Sequence, residues 1–122
     1  MTTMQPSKVI LVEDDATMQA VLRTLLEIEG FTVALAPDRK GQHELVQFIK
    51  TENPDMVLID VHLRETSGIE VLRELREDAA FASTRVIMTS GLDAKDKCLA
   101  AGANSFLMKP FMPDELISKL RG

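Results

Sequence analysis

The chain has 122 residues, of which 45% are hydrophobic and 27% charged, and its net charge is −5. This length suits one domain that buries a core without disulfides or a structural metal. The acidic balance argues against direct binding to nucleic acid or to an anionic membrane surface, because both reward an excess of Lys and Arg. No apolar run approaches the length of a membrane span and the first residues lack an apolar signal core, so we expect a cytoplasmic protein.

Short apolar runs alternate with helical patterns through the first half of the chain. Residues 9–12 form an apolar run typical of a buried strand. Residues 16–29 carry apolar side chains at helical spacing and stop before Gly30, a common residue after the end of a helix. A second strand is predicted over 31–35 and a second helix over 39–52.

The same alternation continues through the second half. A third strand is predicted over 56–59, and Ser67 stands three residues before Glu70, the spacing of a helix capping box. The remaining predicted elements are strands over 86–88 and 105–108, a short helix around 94–101 and a last helix from Pro113. Apolar strands joined by helices predict a three-layer α/β fold, a parallel sheet covered on both faces. We expect one domain over 1–122, with 1–7 as a flexible N-terminal segment.

Polar side chains follow the predicted strands at the points where the strands end. They are Glu13, Asp14 and Asp15 after the first strand, Asp60 after the third, Thr89 and Ser90 after the fourth, and Lys109 after the fifth. Parallel strands bring these groups to one rim of the sheet. Clustered carboxylates require a cation, and hard oxygen ligands suit Mg²⁺, with Mn²⁺ as an alternative. A lysine beside that cation favours binding of a phosphoryl group, and a carboxylate facing both can attack phosphorus.

The order of these residues resembles the receiver domain of two-component response regulators. The match runs from Val9 to about Leu120 and rests on the pair Glu13-Asp14, on Asp60, on Thr89 and on Lys109-Pro110-Phe111. The resemblance implies a CheY-like, flavodoxin-like fold: a doubly wound (βα)5 domain with five parallel strands in the order 2-1-3-4-5. It also implies a phosphorylation switch that assists its own modification, not an enzyme acting on a free metabolite.

By this resemblance, Asp60 is the residue that accepts the phosphoryl group. Glu13, Asp14 and Asp60 would hold Mg²⁺ together with the main-chain carbonyl of His62. The donor of the phosphoryl group would be a histidine kinase or a histidine phosphotransfer protein that docks near the first helix.

The resemblance also implies how phosphorylation would be transmitted. Thr89 and Lys109 would contact the phosphoryl oxygens, and Phe106 would turn inward when Thr89 moves. The peptide bond between Lys109 and Pro110 would be cis. The surface formed by the fourth helix, the fifth strand and the fifth helix would then change, and an output domain, a target protein or a second copy would bind there.

Two positions depart from the pattern of the family. Arg64 stands four residues after Asp60, where many members have proline, so we expect altered loop dynamics or partner contacts. Glu44 replaces a common alanine, which predicts a shifted or more exposed second helix. His62 and Gly91 lie near the mouth of the site and leave the lifetime of the phosphoryl group open. The alternative function is a pseudo-receiver, an interaction module that works without phosphorylation.

Overall fold

The computed structural model describes residues 7–122, so the predicted flexible segment 1–7 lies outside the described residues except for Ser7. The strands are β1 Lys8–Val12, β2 Thr32–Leu35, β3 Met56–Asp60, β4 Arg85–Ser90 and β5 Ser105–Met108. The helices are α1 Ala16–Ile28, α2 Gln42–Glu52, α3 Gly68–Arg76, α4 Lys95–Ala100 and α5 Pro113–Arg121, and a 3₁₀ turn at Ala79–Phe81 precedes β4. Each predicted strand and helix is present.

The five strands form one parallel sheet in the order β2-β1-β3-β4-β5. This confirms the predicted flavodoxin-like topology. The register places Val12 of β1 beside Ile59 of β3, and Asp60 beside Thr89 of β4. The carboxyl ends of the central strands therefore meet at one rim, as the sequence predicted.

Alternation along the strands divides the core into two apolar layers. Ile10 of β1 faces the layer that α2, α3 and α4 cover, where Val46 and Leu72 are buried. Leu11, the next residue, faces the layer that α1 and α5 cover, where Leu26 is buried. Because both faces of each central strand are buried, those strands are apolar along their middle residues, and their polar residues stand at the ends. None of the helices in residues 7–122 is long and apolar enough to cross a membrane.

Local chemistry explains where the helices begin. Asp15 caps α1 by accepting a hydrogen bond from the N–H of Met18, and Ser67 caps α3 through the N–H of Ile69. Helix α2 begins at Gln42, three residues later than predicted, because Arg39 has a positive φ of 58° and breaks the helical path. Glu44 is exposed and its carboxylate accepts a hydrogen bond from the N–H of Gly41.

Candidate functional site

Three charged side chains from different strand ends meet at the rim. Lys109 Nζ lies 2.7 Å from Asp60 Oδ2 and 3.5 Å from Glu13 Oε1. The side chains of Asp60 and Glu13 are only 12% and 8% exposed. Two nearly buried carboxyl groups therefore share one ammonium group, an arrangement that is costly unless protonation or another cation balances the charge.

The electrostatics of these groups show how the charge is balanced. Burial raises the pKa of Glu13 from 4.5 to about 8, and the hydrogen bond and negative charge of Asp60 add to this effect. Burial alone would raise the pKa of Asp60, but its hydrogen bonds with Glu13, Lys109 and the N–H of His62 outweigh burial and hold that pKa below its usual value. Burial opposes ionisation of Lys109, yet pairing with Asp60 raises the pKa of this lysine. At neutral pH and without a bound metal ion, these shifts favour a protonated Glu13 beside an ionised Asp60–Lys109 pair.

The backbone around Asp60 fixes the direction of its carboxylate. Asp60 Oδ1 accepts a hydrogen bond from the N–H of His62 at 3.0 Å, so both carboxylate oxygens have partners. The N–H of Lys109 donates to the carbonyl of Ser90 at 2.8 Å, which anchors the lysine backbone to the end of β4. The peptide bond from Lys109 to Pro110 is cis. The His62 side chain is exposed and lines the cleft between the β3–α3 loop and the loop before α4.

Thr89 and Phe106 lie on the side of the site that faces β4 and β5. Thr89 is beside Asp60 in register and is only 3% exposed. Phe106 is beside Met88 in register and packs half-buried against the apolar layer that α2, α3 and α4 cover. A cavity of about 10 Å³ is bounded by Glu13, Asp60, Thr89, Lys109 and nearby apolar residues including Phe111. The structure therefore brings Thr89 next to the charged cluster, whereas Phe106 packs in the apolar layer and does not line this cavity.

Asp14 has a different partner from Glu13. Its Oδ2 accepts a hydrogen bond of 2.6 Å from the main-chain N–H of Arg64, which lies 50 residues away.

Across residues 7–122, no three Asp, Glu, His or Cys side chains converge as a metal site. The donor chemistry still fits Mg²⁺, because the proposed side-chain ligands are carboxylates and two of them, both nearly buried, share the single ammonium group of Lys109.

Two contacts at the site were not anticipated from the sequence. One is the bond between the Arg64 amide and Asp14. The one sequence feature that pointed to this bond was a residue other than proline at position 64, because proline has no N–H to donate. The other is a hydrogen bond from the side-chain amide of Gln19 to the main-chain carbonyl of Glu13, which ties α1 to the end of β1. Gln19 is partly buried on the first turns of α1, and a single glutamine in a helix gives no sequence pattern that would reveal such a partner.

Comparison with known proteins agrees with this geometry. A family model, the response regulator receiver domain, matches residues 9–121. The chain belongs to this family, whose members are phosphorylation switches of two-component systems.

Three known proteins illustrate the relationship. The chain is 33% identical over 119 residues to the transcriptional regulatory protein TrcR of Mycobacterium tuberculosis, covering 96% of this chain and 45% of TrcR. It is 36% identical over 123 residues to the DNA-binding response regulator MtrA of the same species, covering 99% of this chain and 51% of MtrA. The chain thus spans about half the length of these relatives. The receiver domain of the sensor histidine kinase PA1611 of Pseudomonas aeruginosa, solved with magnesium coordinated in its active-site cleft, superposes with a TM-score of 0.83 at 28% identity over 96% of both chains.

Proposed function

We propose that Asp60 accepts a phosphoryl group from the phosphohistidine of a histidine kinase or phosphotransfer protein. The observation that carries this proposal is the nearly buried Asp60 carboxylate, held 2.7 Å from Lys109 Nζ at the rim of the sheet. The lowered pKa of Asp60 keeps this carboxylate ionised at neutral pH, which a nucleophile requires. Lys109 supplies a fixed positive charge at the place where phosphoryl oxygens would arrive.

The transfer needs one bond to form and one to break. A carboxylate oxygen of Asp60 bonds to phosphorus while the bond from phosphorus to the donor imidazole breaks, and that electron pair stays on the imidazole nitrogen. Lys109 holds the attacking carboxylate in place and then pairs with the phosphoryl oxygens. The hydroxyl of Thr89, buried beside Asp60, would donate to one of these oxygens.

The residues that would hold Mg²⁺, or Mn²⁺ in its place, are Glu13, Asp14, Asp60 and the main-chain carbonyl of His62. When bound, such an ion supplies positive charge beside the phosphoryl group. For its oxygens to serve as ligands, Glu13 must release the proton that its raised pKa retains.

A surface groove supports docking of the phosphoryl donor against α1. The groove has a volume of about 460 Å³ and is lined by Met18, Val21 and Leu25 of α1 and by Pro110 and Phe111. Lys109 also lines it, so the groove borders the proposed acceptor site. An exposed apolar surface of this kind suits a partner protein.

A binding partner would recognise the phosphorylated conformation at the face formed by α4, β5 and α5. We propose that Thr89 moves towards the phosphoryl group and that Phe106 fills the space it leaves. Leu99, Met108 and Met112 are exposed apolar side chains on or beside this face, which suits an output domain, a target protein or a second copy. The names of TrcR and MtrA point to transcription as one output.

The test is to incubate the protein with acetyl phosphate and Mg²⁺ and to record its intact mass. We expect one added phosphoryl group that requires Mg²⁺ and is absent from Asp60→Asn. Asp55→Asn is the matched control, because Asp55 lies at the opposite end of β3 and bonds the N–H of Lys8. If no adduct forms and beryllofluoride does not bind either, the phospho-acceptor role is wrong and the pseudo-receiver alternative replaces it.

A further inference from the structure

One main-chain hydrogen bond joins the two loops that carry the proposed metal ligands. Asp14 belongs to the loop between β1 and α1, and Arg64 lies near the middle of the β3–α3 loop, residues 61–67. The Arg64 N–H donates to Asp14 Oδ2 at 2.6 Å. A bond from an amide to an ionised carboxylate is short and stronger than one between neutral groups.

This bond requires a backbone N–H at position 64 but no particular side chain. The donor is the backbone N–H, so the Arg64 side chain is not needed for it. Any residue except proline can provide this donor. The proline that the resemblance to receiver domains leads one to expect at this position would have no such donor.

The β3–α3 loop is fixed at its base, and its tip is exposed and held by the bond to Asp14. The N–H of Gly68 donates to the carbonyl of Val61 at 2.8 Å, and His62 pairs with Ser67 in an antiparallel bridge. Arg64 and Glu65 are exposed. A cleft of about 660 Å³ separates this loop from the loop that precedes α4. The tip therefore has space to move once its bond to Asp14 is broken.

We propose that the Arg64 amide is a latch that competes with Mg²⁺ for Asp14. With the latch closed, no three side chains of residues 7–122 converge as a metal site. In this proposal the ion takes Asp14 Oδ2, the oxygen that the amide holds, and not the second carboxylate oxygen, so that metal binding releases the β3–α3 loop tip. The inference rests on the proposed function, because it takes Asp14 as a ligand of Mg²⁺.

Two substitutions at position 64 separate the amide from the guanidinium group. Arg64→Pro removes both the N–H and the charge, whereas Arg64→Ala removes only the charge. The chain has no Trp or Tyr, so Mg²⁺ affinity is best measured by calorimetry and by amide shifts in a magnesium titration. We expect Arg64→Pro to bind Mg²⁺ about tenfold more tightly than Arg64→Ala, the change expected when one hydrogen bond to a charged group no longer competes.

A second measurement uses the unmodified protein and does not depend on folding of the proline variant. The scalar coupling between Arg64 ¹⁵N and Asp14 ¹³Cγ across the hydrogen bond should be present without Mg²⁺ and absent at saturation. Persistence of that coupling at saturation would overturn the latch, and so would equal affinities of the two variants or weaker binding by Arg64→Pro. Equal affinities in proteins that still gain a phosphoryl group would reject the latch alone. An unmodified protein that neither binds Mg²⁺ nor gains that group would reject the proposed function itself.

Discussion

Gly68 lies directly against the backbone of Asp60. A Cβ atom at position 68 would come within 2.1 Å of the Asp60 carbonyl oxygen and 2.9 Å of the Ile59 side chain. Helix α3 therefore begins in contact with the end of β3, and the only residue that fits at this point is one without a side chain. This close approach sets the position of α3 relative to the proposed phospho-acceptor.

We expect Gly68→Ala to lower the free energy of unfolding by about 2–3 kcal/mol, because the obstructing atom belongs to the backbone and cannot turn aside. Urea unfolding followed by circular dichroism measures this change. Gly91→Ala is the matched control: no atom lies within 4 Å of a Cβ there, so its effect should stay within about 0.5 kcal/mol. Equal stability of the two variants would contradict the close approach.

The raised pKa of Glu13 predicts how stability changes with pH when no divalent cation is present. The folded state retains a proton on Glu13 up to about pH 8, whereas the unfolded chain releases it near pH 4.5. The stabilisation is therefore complete below pH 4.5 and is lost as the pH rises through about 8. We expect the free energy of unfolding to fall across this range by up to about 1.4 kcal/mol per pH unit, the limit for one proton.

Glu13→Gln provides the control for this pH dependence, because glutamine keeps the shape and can donate a hydrogen bond to Asp60 without titrating. Its unfolding free energy should be nearly constant between pH 5 and 8, measured with a chelator present. Adding Mg²⁺ to the unmodified protein at pH 8 should restore stability by binding the ionised carboxylates. The same pH slope in Glu13→Gln would assign the effect to other groups.

The parts of the fold that the sequence predicted are those set by local pattern. The uninterrupted apolar run 9–12 identified a strand buried on both faces, and the helical spacing of apolar residues over 16–29 identified α1. The meeting of Asp60 with Lys109 was also predicted, because parallel strands must end at one rim. Each of these conclusions needs only the order of the residues, the regular spacing of side chains in helices and strands, and the common direction of parallel strands.

The parts that the sequence did not predict depend on distances between loops. The bond from Arg64 to Asp14 joins residues 50 positions apart in two irregular segments, for which no periodicity exists. The late start of α2 follows from a positive φ at Arg39, a conformation that arginine rarely adopts. Protonation of Glu13 depends on how deeply its side chain is buried, and this depends on tertiary packing that no local sequence pattern reveals.

The cap of α1 leads to a third prediction. Asp15 is exposed, and its Oδ1 accepts a hydrogen bond from the N–H of Met18 at 3.0 Å. We expect Asp15→Ala to destabilise the protein by about 1 kcal/mol, because that N–H loses its partner at the first turn. Asp15→Asn retains an acceptor and should lose less than half as much. Thermal unfolding of the two variants makes the comparison, and equal losses would show that charge and not capping is responsible.

Arg76, at the end of α3, connects elements that are far apart in the sequence. Its guanidinium donates to the carbonyls of Phe81 and Thr84 at 2.7 Å, to the carbonyl of Gly102 at 2.9 Å and to Asn104 Oδ1 at 3.0 Å. These contacts hold the turn after α3 and the start of β5 together. We expect Arg76→Ala to cost about 2–3 kcal/mol of stability, because several acceptors lose their donor at once. Arg76→Lys should restore only part of it, since an ammonium group cannot match the planar arrangement of these acceptors.

Arg73, one turn earlier on α3, is the control for removing an arginine from this helix. Its side chain is 56% exposed and pairs only with Glu70, three residues away, among the ion pairs of residues 7–122. An exposed pair of this kind contributes little, so Arg73→Ala should change the free energy of unfolding by no more than about 0.5 kcal/mol. Urea unfolding of both alanine variants decides the matter. If Arg73→Ala costs as much as Arg76→Ala, the loss comes from helix propensity or net charge, and the carbonyl contacts of Arg76 do not stabilise this fold.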